Sequence, residues 1–175
     1  MLRSLAFLSS VLALAACAPM GANPAGPRAT AMLQSTAGNS VAGIVRFAQR
    51  GDKVLVSGTV TGLRPLALHG FHVHEKGDCS SPDATSAGGH FNPGGQPHGS
   101  HTAAAHHAGD LPSLKADDSG VARFAFEADG LSVGGAAGNV VGRALIVHRD
   151  PDDYTTQPTG NSGPRLACAV IAAAP

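Results

Sequence analysis

Seven short stretches of this chain alternate apolar and polar residues with a period of two, and that pattern constrains the fold more than any other feature. They run over Met32 to Thr36, Gly43 to Gln49, Val54 to Val60, Leu66 to His74, Val121 to Glu127, Arg143 to His148 and Arg165 to Ile171. Turn residues separate them, as in Arg50-Gly51-Asp52, Asp118-Ser119-Gly120 and Gly134-Gly135. No long apolar period of 3.6 competes, and 23 glycines with 12 prolines favour turns over helices. A chain of 175 residues suffices for one compact core and is too short for two ordinary ones. The expectation is one all-β antiparallel sandwich or barrel.

Two segments break this rhythm, Gly77 to Asp110 and Arg149 to Pro164, and loops of such length in a small domain are usually functional or disordered. Histidine, at nine copies, gathers in the first and flanks the second. Charge is sparse and balanced, with 12 Lys plus Arg against 12 Asp plus Glu. That balance provides no broad field to hold nucleic acid or an anionic bilayer, so electrostatic function must be local.

Residues 1–16 read as an export signal: Arg3 supplies the positive start, and Leu5 to Ala16 form an apolar run too short to span a bilayer comfortably. Leu14-Ala15-Ala16-Cys17 resembles the lipobox of bacterial lipoproteins, which implies a lipid on Cys17 and a mature chain that begins there. Ala18 and Pro19 follow in place of an acidic retention residue, so the choice of membrane stays open. Residues 17–28, rich in Ala, Gly and Pro, form a flexible tether, and the domain spans 29–175. With Cys17 set aside, Cys79 and Cys168 are an even pair bound for an oxidising compartment, and a disulfide between them is expected.

The chemistry lies in the histidines. His72 and His74 end an apolar strand, and their spacing puts both imidazoles on one face, within reach of one metal. His90, His98, His107 and Asp110 follow in the first loop, and three imidazoles with a carboxylate suit tetrahedral zinc. His148 closes the apolar run from Ala144 to Val147, where a strand leaves the core.

These residues resemble the Cu,Zn superoxide dismutases across nearly all of 29–175. The resemblance rests on Gly70-Phe71-His72-Val73-His74, Gly89-His90-Phe91-Asn92-Pro93, the spacing of His90, His98, His107 and Asp110 with Leu111 after it, Val147-His148, and Gly160-Asn161 leading to Arg165-Leu166-Ala167-Cys168. It implies an eight-stranded antiparallel Greek-key barrel, a flattened sandwich with two long functional loops. It further implies one copper per subunit at His72, His74, His90 and His148, and one zinc at His90, His98, His107 and Asp110. The implied activity is dismutation of superoxide: one anion reduces copper and leaves as dioxygen, and a second reoxidises it and leaves as hydrogen peroxide. His90, an imidazolate between two dications, releases copper and takes a proton in between.

The same resemblance makes Arg165 the guanidinium that holds the substrate anion beside copper, with His90 as its catalytic partner. It makes Asp152 a carboxylate linking His72 to His98, and Thr159 a residue that narrows the channel. His69 falls on the other strand face from His72 and is expected to make a structural hydrogen bond, while His101 and His106 lie where the family has no ligands. The acidic segment Arg149 to Tyr154 departs from the many relatives that carry lysines there to assist substrate guidance. Two other classes compete. A binuclear metallohydrolase also uses His-x-His but needs a larger α/β chain. A non-catalytic metal carrier of this fold would be expected to lack Arg165 or a copper ligand. The expected partners are the superoxide anion, no nucleic acid, and a bacterial membrane through acylated Cys17, in a periplasmic monomer or homodimer.

Overall fold

The computed structural model describes residues 26–135 and 137–175. The segment read as an export signal and Cys17 lie outside the described residues. Among the described residues ten strands follow in order: β1 (Arg28–Ser35), β2 (Ala42–Arg50), β3 (Lys53–Thr61), β4 (Leu68–His69), β5 (Phe71–His74), β6 (Leu114–Lys115), β7 (Ala122–Ala128), β8 (Ala144–His148), β9 (Arg165–Val170) and β10 (Ala172–Ala174). A single 3-10 turn at Thr85–Ala87 is the one helical element among the described residues, and none of their helices is long and apolar enough to cross a membrane.

Period-two alternation sorts each strand into an inner and an outer face. In β2, Val45 and Phe47 point into the core while Ile44 and Arg46 are exposed, and β3 buries Val54, Val56 and Val60. These two strands join across Gly51-Asp52, with Arg50 opposite Lys53. Gly51 has φ +60°, the left-handed conformation such a tight hairpin demands.

The main sheet has the order β5-β8-β9-β1-β2-β3-β7, with β10 also pairing β1 to make eight strands, all antiparallel. The neighbours β5 with β8, β9 with β1 and β3 with β7 are distant in sequence, the crossovers of a Greek key. A separate pair, β4 with β6, links the two edges. β4 runs into β5 through Gly70, and β6 turns into β7 where the Asp117 amide donates to Val121 O at 2.9 Å. The sheet therefore curls into the expected barrel.

Phe47, Phe71, Leu111, Leu114, Leu145 and Ile171 lead the core, with Phe71 meeting Phe124 edge to face at 5.4 Å. β8 is buried along its whole length: Leu145 and Val147 face this core, whereas Ala144 and Ile146 face a second cluster with Ala84, Ala87 and Cys168. Cys168 is joined to Cys79 across a sequence separation of 89 residues, as expected. The first long loop is thus held against the outer face of β8 and β9.

The boundaries differ from the sequence reading at three places, each with a cause. β1 begins at Arg28 rather than Met32, because the buried Ala29 and Ala31 are too small to stand out as an apolar face. The predicted strand Leu66 to His74 breaks at Gly70, where a Cβ would lie 2.6 Å from Ser162 Oγ. β6 and β10 are only two and three residues long, too short to show alternation.

Candidate metal centre

Phe71 and Val73 of β5 fill the core, so His72 and His74 must point outward, beneath the two long loops. His148 reaches the same face from the end of β8, where the pairing with β9 shifts register between Val147 and His148. Its backbone is fixed on both sides: His148 N donates to Gly70 O at 2.8 Å, and His69 Nδ1 donates to His148 O at 2.9 Å. His69 is buried and makes the structural hydrogen bond expected of it. The first loop delivers His90 beside His74 in an isolated bridge and Asp110 beside His72 in another.

Two groups of four result. His72, His74, His90 and His148 form one, and His90, His98, His107 and Asp110 the other. Within each, one donor atom from every residue lies within 4.8 Å of the rest, and all seven residues are buried. His90 belongs to both. His101 and His106 belong to neither.

The ring nitrogens reveal what such groups are suited to hold. His74 Nδ1 donates to Gly88 O at 2.9 Å and His148 Nδ1 to Gly163 O at 3.0 Å, which leaves their Nε2 lone pairs facing each other at 3.4 Å. Asp152 accepts from His72 Nε2 at 2.6 Å and from His98 Nε2 at 2.9 Å. That leaves His72 Nδ1 without a hydrogen-bond partner among the described residues, as is His90 Nε2. His98 Nδ1 lies 3.0 Å from Asp110 Oδ1 yet lacks hydrogen-bond alignment. His90 Nδ1 sits 2.8 Å from Asp110 Oδ1 and 3.4 Å from His107 Nδ1. The buried His74 and His148 Nε2 lone pairs converge with no proton between them, which is costly unless a cation lies among them, and an outer oxygen on the opposite nitrogen is the usual support of a ligating imidazole. Copper and zinc fit these donor sets: all-imidazole for one, three imidazoles and a carboxylate for the other.

Electrostatics sharpen the difference between the groups. Burial, and then the neighbouring imidazoles and Arg165, hold His74 well below the usual histidine range. Burial likewise depresses His148, and it takes His72 to about 4 despite Asp152. These rings are neutral ligands near pH 7. His98 behaves oppositely: burial opposes its charge, but Asp110 and Asp152 on either side raise it to about 9. The same imidazole contacts hold both carboxyls far below the normal carboxylate range, against the effect of their burial.

Arg165, at the start of β9, is half-buried. Its guanidinium donates to Ala84 O at 2.5 Å and to Gly88 O at 2.6 Å. Gly88 O also accepts from His74, so one peptide carries both the cation and a metal-directed imidazole. Asp83 contributes a favourable charge toward Arg165 from the first loop. Thr159 is partly buried, its carbonyl 3.5 Å from Ser162 Oγ.

Sequence reasoning missed Gln157, which clamps the loops together: its Oε1 accepts from His98 N and its Nε2 donates to His98 O, both at 2.9 Å. It also missed Gly88 and Gly163 as acceptors, since a carbonyl carries no side-chain signature. Gly160 had a signal in its position beside the second loop's end. Its φ is +66°, and a Cβ there would overlap Asp152 Oδ1 and lie 2.5 Å from His98 Nε2.

Comparison with known proteins agrees with this chemistry. The family described as copper/zinc superoxide dismutase matches residues 41–171. A Cu-Zn superoxide dismutase of Paramecium bursaria Chlorella virus 1 is 42% identical over 137 residues, 75% of this chain and 72% of its own. Cu-Zn superoxide dismutase 2 of Brassica juncea is 42% identical over 151 residues, 82% of this chain and 96% of its own. A crystal structure described as the clock protein EA4 is similar with a TM-score of 0.75 and 39% identity, covering 83% of this chain and 93% of that one. The matched stretch contains both histidine groups, Asp152, Arg165 and both bridged cysteines, and the chain belongs to the copper/zinc superoxide dismutase family.

Proposed function

We propose that this protein dismutes superoxide, turning two superoxide anions and two protons into dioxygen and hydrogen peroxide. His90 supports the reading most strongly, because one imidazole turns each of its nitrogens toward a different donor group. Copper would be held by His72 Nδ1 and the Nε2 atoms of His74, His90 and His148. Zinc would be held by the Nδ1 atoms of His90, His98 and His107 with an oxygen of Asp110. When bound, copper supplies one-electron chemistry between its two oxidation states, while redox-inert zinc supplies charge and order.

The chain's own groups do the remaining work. Asp152 fixes the tautomers of His72 and His98 by accepting from both Nε2 atoms. His90 Nε2 is the atom at which the chain can hold a proton and hand it to the peroxide product. Arg165, steadied by two carbonyls, offers a fixed positive charge and its remaining N–H donors to a small anion. Protein purified after export should contain one copper and one zinc per chain and consume superoxide. His148→Ala should lose copper and turnover while retaining zinc, and full activity without copper would overturn the proposal.

The reading extends to a bacterial periplasmic lipoprotein with Cys17 acylated. Support comes from the lipobox-like tetrapeptide and from the disulfide, a bond of oxidising compartments. Residues between Cys17 and β1 reach at most ~40 Å when extended, enough to hold the barrel clear of a bilayer surface. A Cys17→Ser form should leave the membrane fraction or stay unprocessed, and mass spectrometry showing an unmodified Cys17 would defeat this part.

A further inference from the structure

His101 and His106 sit on the loop that carries His98 and His107, yet neither joins a donor group. Both line a cavity of about 20 Å³ whose wall also includes Glu127, Asp129 and the inner ligand candidate Asp110. That volume is of the order of one water molecule or one ion. His106 and Asp129 also line a wider neighbouring groove of about 310 Å³.

The ring nitrogens again indicate what fits. His106 Nδ1 donates to His107 O at 2.7 Å. A carbonyl only accepts, so Nδ1 carries a proton and Nε2 is the ring atom through which neutral His106 can ligate. Gly88 and Gly163 impose this same arrangement on His74 and His148. His101 Nδ1 is buried with no hydrogen-bond partner among the described residues. Two imidazoles beside carboxylates select borderline divalent transition metals over calcium or magnesium.

We propose that His101, His106, Glu127 and Asp129 form a third binding site, for a divalent transition metal such as zinc or copper(II), on the outer wall of the His90–Asp110 group. Glu127 and Asp129 are exposed, and binding requires them to rotate inward to complete the shell. Asp129 otherwise pairs with Lys53 at 3.1 Å, a solvated contact worth little. Only the two inner groups have their donors gathered in advance among the described residues, so the third site binds more weakly than they do. Because Asp110 borders both places, an ion captured here lies one side chain from the inner group. The proposal rests on the copper and zinc reading only for the identity of those inner ions.

The test starts from protein loaded with copper and zinc and freed of loose metal on a chelating resin. Titration with zinc by equilibrium dialysis, repeated with cobalt(II) for its visible absorption, should reveal one further equivalent. The double variant His101→Ala/His106→Ala should weaken that equivalent by at least roughly tenfold, with Glu127→Gln weakening it less. Both variants should keep the two tight ions and the wild-type melting temperature. No third equivalent at millimolar metal, or an unchanged third equivalent in the double variant, overturns the site. Failure of the copper and zinc reading shows itself separately, as loss of the tight equivalents in the parent protein.

Discussion

Replacing Gly160 with alanine strikes the point where the two long loops meet. Its φ of +66° is left-handed, which costs an L-residue roughly 1–2 kcal/mol. The added methyl also takes space occupied by Asp152 Oδ1 and His98 Nε2. Asp152 is fully buried and grips two imidazoles at 2.6 and 2.9 Å, so it cannot retreat without releasing at least one. Charge-assisted hydrogen bonds of this kind contribute about 1.5–3 kcal/mol each. Losing one grip or both, together with the backbone cost, gives about 2.5–8 kcal/mol. Gly51→Ala is the control, because Gly51 is also left-handed at +60° and a Cβ there meets nothing within 4 Å. It should show the backbone cost alone, lowering the melting temperature by roughly 2–8 °C at about 2–4 °C per kcal/mol. Gly160→Ala should melt far lower and bind zinc about 10–100-fold more weakly in a chelator competition, since His98 loses the carboxylate that orients it. If Gly160→Ala matched Gly51→Ala in stability and held zinc like the parent, Asp152 would not be the strut described above.

Arg165→Ala should slow superoxide consumption by about tenfold or more and flatten its decline with ionic strength, with metal content unchanged. Arg165→Lys separates charge from bracing: partial activity with intact metals supports the anion-binding role, whereas metal loss with parental salt dependence would assign Arg165 to holding the loop. Reducing the Cys79–Cys168 bond should lower stability by up to roughly 4–5 kcal/mol, the chain-entropy limit for a loop of this size. It should also loosen the carbonyls of Ala84 and Gly88 around Arg165, and two alkylatable thiols in unreduced, denatured protein would contradict the bond. Metal-free protein should be most stable near pH 6.5, as read by urea midpoints from about pH 5 to about pH 10. Below that, the unfolded chain takes up protons that buried His72, His74 and His148 refuse; above it, the stability conferred by protonated His98 is lost as pH rises through about 9. A flat profile between pH 6.5 and 9 would show that Asp110 and Asp152 do not hold a proton on His98.

The candidate site was legible in sequence because its members are rare residue types at regular offsets. His72 and His74 announce a shared face, and Asp110 selects His107 over its neighbour His106. Strands with branched or aromatic inner residues, such as β2 and β3, were equally plain. What escaped was work done by the backbone and by ordinary polar side chains. The Gly88 and Gly163 carbonyls set two imidazole tautomers, yet any residue has a carbonyl. Gln157 binds His98 through both ends of an amide, and no spacing rule marks a loop glutamine. The alanines of β1 are buried without looking apolar enough to define an inner face.

Strand β5 answers to two tenants, with Phe71 and Val73 lodged in the barrel interior while His72 and His74 face the loops. A single inserted or deleted residue in it would exchange the tenants, driving imidazoles into the oil and phenylalanine among the donors. Substitution within β5 should therefore be tolerated at single positions, whereas any change in its length should abolish both the core and the donor groups at once. The strand works as a ratchet: its residues can be exchanged one at a time, but their number is fixed.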